Sequence, residues 1–243
     1  MVVLQRNARV KNTLKRLFNL SVPLLRRIGF DTKAFYEFAF WQAAKKREGT
    51  LQNASYEDLF TAKVGIARTF YTNKRVLDIG CGPRGSLEWL DDAAERIGLD
   101  PLVGKYRKLG INDHKMRYIE AGSEAMPLPD GSVDIITLIN SLDHVDDLDK
   151  TVSEIKRVIA PGGSLVIVVD IHPKPTAAEP QILGWDVTRK FSPELSVKEE
   201  FHFEHDPEHR GAAAALNTRI PYNHEDSSPR YGALLAILER RPL

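Results

Sequence analysis

The hydrophobic positions change rhythm once along the chain. Before residue 73 they recur at helical spacing. Val10, Leu14, Leu17 and Phe18 form one stripe, broken at Ser21-Val22-Pro23, and Leu24, Leu25 and Ile28 follow. Phe35, Tyr36, Phe38, Phe40 and Trp41 mark an aromatic helix over 35–46. A third helix is predicted from Ser55, which forms a candidate capping pair with Asp58, through Leu59, Phe60, Val64 and Ile66 toward Tyr71. From residue 75 short apolar runs alternate with amphipathic stretches. The runs predict strands over 75–79, 96–100, 116–121, 133–139 and 163–171. The stretches between them predict helices over 86–95, 102–109 and 148–158. Residues 173–194 read as loop with one helix, and 195–204 and 231–240 as two late strands. Alternating strands and helices make an α/β fold with a mostly parallel sheet covered on both faces.

No repeat or linker divides the chain. The pattern therefore predicts an N-terminal basic and aromatic extension over 1–72 and an α/β domain over 73–243. Insertions over 173–194 and 205–230 would cover a substrate. The 243 residues, 42% apolar and 28% charged, suit an ordinary globular protein and exclude fibrous or disordered classes. No apolar run is long enough for a spanning helix. The one cysteine, Cys81, excludes an internal disulfide and a multi-cysteine metal site. A reducing, cytoplasmic compartment is expected.

Charge is where composition conceals something. The net charge of +1 combines seven basic residues and no acid in 1–30 with a balance of −6 over the remainder. The acidic body argues against a nucleic-acid partner. The basic leader suits docking, dimer formation or a peripheral contact with an anionic membrane, and monomer and homodimer both stay open.

The sharpest motif is Val76-Leu77-Asp78-Ile79-Gly80-Cys81-Gly82-Pro83-Arg84-Gly85. A buried strand runs into a glycine turn, which is expected to open a helix. Gly80, Gly82 and Gly85 satisfy the dinucleotide fingerprint, with Asp100 at the distance of the ribose-binding acid. Two readings compete: an NAD(P)-dependent oxidoreductase and an S-adenosylmethionine (SAM) enzyme. Asp78 favours the second. A carboxylate beside the first glycine opposes a pyrophosphate and attracts the ammonium and sulphonium of SAM.

With these residues in place, the chain resembles the class I SAM-dependent methyltransferases, specifically the type 11 group. The stretch Glu124-Ala125-Met126-Pro127-Leu128-Pro129-Asp130-Gly131-Ser132-Val133-Asp134 and the turn Arg157-Val158-Ile159-Ala160-Pro161-Gly162-Gly163 extend the likeness over roughly 75–171. The resemblance implies a Rossmann-like three-layer sandwich, its seven-stranded sheet mostly parallel with an antiparallel last strand. It implies SAM as cofactor, with the methionine end against Asp78, Gly80 and Gly82 and the ribose on Asp100. Pro101 and Leu102 would meet one adenine face and Met126 the other. An acid often contacts the adenine amine where this chain has Gly122, so Ser123 or Glu124 would substitute. Asn140 would lie beside the methionine end. The implied activity is methylation of a small or medium-sized metabolite, as in bacterial secondary-metabolite or surface-glycan pathways. A SAM-fold protein that binds without turnover is the remaining alternative.

Ligands of a parallel sheet bind beyond the carboxyl ends of its strands. The candidate catalytic residues are therefore His144 and Asp143, after the fourth strand. The ordinary pKa of histidine makes His144 the better base and favours an oxygen acceptor. His172 after the fifth strand, Glu179 and Gln181 beyond it, and Tyr36 and Trp41 in the extension are candidate substrate contacts. His202, His205 and His209 fit no standard zinc spacing, so no metal is expected. Cys81 is expected to be a small buried residue of the turn rather than a nucleophile.

Overall fold

The computed structural model describes residues 31–176, 179–205 and 211–242. The readings made for 1–30 and for His209 fall outside the described residues. Seven strands form one sheet: β1 (Arg75–Ile79), β2 (Glu95–Leu99), β3 (Arg117–Ile119), β4 (Val133–Ile139), β5 (Ile159–Ile171), β6 (Leu195–Glu204) and β7 (Gly232–Arg240). Their spatial order is β3-β2-β1-β4-β5-β7-β6. β7 runs antiparallel to both β5 and β6, and the other pairings are parallel. This is the seven-stranded, mostly parallel Rossmann-like sheet expected. The order reverses between β1 and β4, the point where such a sheet leaves a crevice at its carboxyl edge.

The central strands are buried on both faces, which is why they read as continuous apolar runs rather than alternating ones. One face carries Leu77, Ile136, Leu138, Leu165 and Ile167, packed under helix α4 (Leu148–Val158) through Val152, Ile155 and Val158. Asp147 caps α4 by accepting from Lys150 N. The other face buries Val76, Ile135, Val166 and Val168 under α2 (Tyr56–Phe60) and α5 (Ala212–Thr218). A third cluster joins α1 (Thr32–Glu48) to α3 (Val103–Tyr106) through Ala34, Ala44, Val103 and Tyr106.

Two sequence expectations need correction. The helix predicted over 86–95 is absent, and the segment is a chain of turns. Tertiary ties override its helical spacing: Asn73 N donates to Asp92 O, Ala94 N to Lys74 O and Thr72 Oγ1 to Asp92 Oδ2. Leu87 and Leu90 are buried all the same, and Trp89 packs on Phe60 and Tyr71. The helix from Ser55 toward Tyr71 is broken into α2 and two short 3-10 turns, with a left-handed Gly65 between those turns and no side-chain cap at Ser55. The polar insertion between β6 and β7 contains α5. Among the described residues no helix is long and apolar enough to cross a membrane.

Candidate active site

β1 delivers its glycine turn to the crevice. Gly80 and Gly82 have φ of 74° and 58°, conformations that a side chain strains. The turn also has no room for one. A Cβ on Gly80 would lie 2.5 Å from the Cβ of Ser141, in the turn after β4. Ser141 Oγ in turn donates to Ile79 O at 2.7 Å, so the ends of β1 and β4 are pinned together. Cys81 is buried behind the turn, against Gly98 and Met116, and burial pushes its thiol well up. That is a packing role.

Asp100 follows β2 and is 7% exposed. Its carboxylate accepts from Gly82 N at 3.2 Å and Leu102 N at 2.8 Å. Burial outweighs these bonds and raises its pKa to about 6. Asp78 points inward, accepting from Ser86 Oγ and from Thr137 Oγ1 at 2.7 Å, and burial raises it to about 7. Asn140 ends β4 in a left-handed conformation, φ 56°, and its Oδ1 is buried without a hydrogen-bond partner. A strained residue with an orphaned acceptor is an observation that asks for a ligand.

The remaining cofactor candidates are distributed as follows. Leu102 and Met126 are buried, and Pro101 is exposed. Ser123 Oγ is turned to Thr151 Oγ1 at 2.8 Å. Glu124 accepts from Asp146 N at 2.7 Å and Asp147 N at 3.2 Å, supporting the turn after β4. Its Oε2 stands over Gly122, 2.5 Å from where a Cβ there would be, so a carboxylate oxygen does reach that position. The sequence reading missed Glu120, whose carboxylate stands 2.7 Å from where a Cβ on Gly104 would be.

Helix α1 lies along this edge and is tied down from end to end. Lys33 pairs with Asp146 at 2.7 Å. Glu48 binds Arg84 of the glycine turn through both oxygens, at 2.7 and 2.8 Å. That pair holds the Glu48 carboxyl down at about 2. Between them, Trp41 covers Gly82: its Cζ2 is 3.1 Å from the position of a Cβ there. The Arg84 guanidinium lies 5.4 Å from the Trp41 ring. Trp41 therefore stands on the cofactor side of the crevice. Tyr36 is partly buried one turn earlier, its ring 6.2 Å from Phe35.

Glu37, which sequence reasoning missed, accounts for His144. Its Oε1 lies 2.9 Å from His144 Nδ1. A carboxylate accepts, so Nδ1 carries a proton, and in the neutral ring Nε2 presents the lone pair. That Nε2 is buried with no hydrogen-bond partner. Burial pushes the histidine down, but Glu37 and Asp143 outweigh it and leave its pKa raised. Asp143 is fully buried, and burial raises its pKa to about 6 against the opposing effect of His144. Its carboxylate lies 3.9 Å from the Nε2 of both His144 and His172. Glu179 completes this group. Gln181 binds backbone, its N donating to Asp143 O at 3.1 Å. Beside His172 a cavity of about 350 Å³ is walled by Trp185, Tyr222, His224 and Arg230. No spacing rule connects residue 37 to residue 144, so the pair was illegible before folding.

The arrangement fits SAM. Two acids, an orphaned acceptor and a glycine turn suit a cation with a ribose, while the lack of a helix after Gly85 removes the usual seat of a pyrophosphate. Residues 77–167 match the family model described as a methyltransferase domain. Tocopherol O-methyltransferase of Arabidopsis thaliana is 34% identical over 125 residues, 46% of this chain and 35% of that protein. Malonyl-[acyl-carrier protein] O-methyltransferase of Pseudescherichia vulneris is 32% identical over 130 residues, 52% of this chain and 50% of that protein. The chain thus spans half or less of the length of these two curated relatives. Among solved structures, N-methyltransferase NodS of Bradyrhizobium japonicum, in complex with S-adenosylhomocysteine, covers 76% of this chain and 85% of its own, with a TM-score of 0.51 at 14% identity. The [4+2]-cyclase SpnF covers 76% and 81%, with a TM-score of 0.55 at 18% identity. Residues 77–167 thus carry a methyltransferase domain, and the fold around them is the one seen in solved methyltransferases. The domain's cofactor is SAM.

Proposed function

We propose that the protein transfers a methyl group to a small or medium-sized metabolite, with oxygen as the acceptor atom. The observation that carries this reading is the Glu37–His144 pair. In the neutral ring it aims a buried, unpartnered Nε2 lone pair, four residues along the chain from Asn140 at the end of β4. SAM supplies a methyl group already activated by its positive sulphur. The protein then has two tasks: to align the acceptor and to take its proton.

Asp100 is proposed to hold the ribose, and Asp78 and Asn140 to favour the cationic methionine end. Trp41 closes the glycine turn from above and excludes water. The acceptor would enter by the cavity beside His172, which Trp185, Tyr222 and Arg230 line. His144 Nε2 would accept the acceptor's proton as the nucleophile forms, and Glu37 would stabilise the imidazolium. Alignment alone can contribute several kcal/mol to such a displacement. The curated relatives are named for tocopherol and malonyl-[acyl-carrier protein], which is consistent with acceptors other than nucleic acid. An oxidoreductase reading is disfavoured by Asp78 and by the missing helix after the glycine turn.

The test is a methyl-transfer screen with tritiated SAM against fractionated metabolites, run beside the His144→Ala variant. Labelled product from the wild type and its loss in the variant support the reading. Transfer that proceeds equally without His144 removes the base assignment.

A further inference from the structure

Three side chains from separate segments converge next to His144. Asp143 lies in the turn after β4, His172 directly follows β5, and Glu179 lies beyond it. One ligand-type atom from each falls within 4.8 Å of the others. The side chains of Asp143 and His172 are both 0% exposed. Neither Asp143 oxygen nor His172 Nε2 has a hydrogen-bond partner. The 3.9 Å between Asp143 and His172 is too long for one. Leaving a carboxylate and an imidazole nitrogen buried and unbonded is costly, unless something between them satisfies both.

The surroundings orient these atoms for a cation. His172 Nδ1 lies 2.7 Å from the carbonyl oxygen of Lys174. A carbonyl only accepts, so Nδ1 holds the proton and Nε2 turns its lone pair inward. Metal-binding histidines are commonly fixed this way, by a hydrogen bond from the distal nitrogen to a carbonyl. Glu179 is fixed in turn. Its Oε2 accepts from Thr176 Oγ1 at 2.9 Å, and its backbone N donates to the same hydroxyl at 3.0 Å. Gln181 then fastens this segment to the Asp143 turn, through Asp143 O at 3.1 Å and Val145 O at 3.1 Å.

We propose that Asp143, His172 and Glu179 form a binding site for a divalent transition-metal ion of the zinc or manganese type. One imidazole with two carboxylates suits these ions better than magnesium or calcium, which prefer oxygen alone. Ligand atoms about 2.0–2.2 Å from zinc in tetrahedral geometry stand roughly 3.4 Å apart, so the 3.9 Å Asp143–His172 pair needs a small contraction and Glu179, within 4.8 Å of both, a side-chain adjustment. Three protein ligands leave a position open. Its use by an oxygen of the acceptor rests on the methyl-transfer reading, whereas metal binding itself does not. The sequence showed none of this, because the ligands share no spacing motif and none is a cysteine.

The test uses the full chain, stripped with a chelator and titrated with zinc chloride by calorimetry and with manganese chloride by electron paramagnetic resonance. One equivalent should bind with micromolar affinity or better. Glu179→Gln, at a partly exposed position, should lower that affinity at least tenfold, and His172→Gln should do the same. His114→Ala, at the β3 edge where His114 Nδ1 meets Tyr118 Oη at 2.6 Å, should not change it. Absence of binding overturns the proposal, as does binding unchanged in both ligand variants or lost in His114→Ala. Zinc binding without binding of S-adenosylhomocysteine would leave the metal site standing and remove the methyltransferase reading.

Discussion

Replacing Asp100 by asparagine should weaken cofactor binding and, at the same time, stabilise the free protein. The carboxylate is 7% exposed and its pKa is raised to about 6, against an ordinary 3.8. A raised acid favours the folded state most when protonated. Its favourable contribution is complete below pH 3.8 and is lost as pH rises through about 6. At neutral pH the ionised group therefore costs about 3 kcal/mol relative to its protonated form. Asparagine keeps the shape and never ionises. It also loses one of the two backbone bonds from Gly82 and Leu102, worth about 1 kcal/mol, and leaves one N–H facing an amide. The net expectation is a gain of ~1–2 kcal/mol, which raises the melting midpoint by roughly 3–6 °C for a chain of this size. The ribose hydroxyls, meanwhile, lose a charged acceptor. At about 1 kcal/mol for each of two bonds, affinity should fall about 30-fold. Differential scanning fluorimetry and calorimetric titration with S-adenosylhomocysteine read the two effects. The stability gain should shrink as pH is lowered from 7.5 toward 5. A variant that melts lower at pH 7.5, or binds as tightly as the wild type, would refute the reasoning.

Other outcomes follow from the same geometry. His144→Ala should lower turnover by about a hundredfold or more, and Glu37→Gln by less, with S-adenosylhomocysteine affinity nearly unchanged in both; steady-state kinetics beside calorimetry separates the two effects. Gly82→Ala places a Cβ at φ 58° and 3.1 Å from Trp41, so the variant should lose ~1–2 kcal/mol in denaturant titrations and bind cofactor poorly. Arg84→Gln removes the doubly bonded partner of Glu48, and limited proteolysis should then cut within 32–52 faster than in the wild type. Asp78, raised to about 7 by burial, should ionise fully when the cation binds; affinity for SAM should rise with pH up to about 7 and level off above it, as measured by titration in a pH series.

Much of the sheet was legible because its strands are buried on both faces and read as unbroken apolar runs. The bounds of β1, β4 and β6 coincide with the predicted ones. The stretch 86–95 shows where periodicity fails. Its leucines are buried, as an amphipathic helix would bury them, but Asp92 and Ala94 are claimed by residues 72–74, and a helix cannot satisfy both demands. The site divides in the same way. Gly80, Gly82 and Asp100 belong to one motif of fixed spacing, and Gly82 N meets the Asp100 carboxylate in the structure. Ser123 sits in the expected loop yet turns its hydroxyl to Thr151, while Glu124 keeps one oxygen over Gly122, a choice made by rotamers and not by position. Glu37 reaches His144 across more than a hundred residues, and Trp41 covers Gly82 for the same reason: α1 docks across the crevice. The sequence marks α1 as helical and aromatic but carries no sign of what its polar residues will meet.

The central claim is that the crevice at the β1–β4 switch binds SAM. Calorimetric titration of the full chain with S-adenosylhomocysteine, and separately with NADH and NADPH, tests it most directly. One equivalent of S-adenosylhomocysteine should bind, displaceable by SAM and weakened in Asp100→Asn, with no heat from either nicotinamide. Binding of a nicotinamide cofactor by a chain that ignores S-adenosylhomocysteine would contradict it.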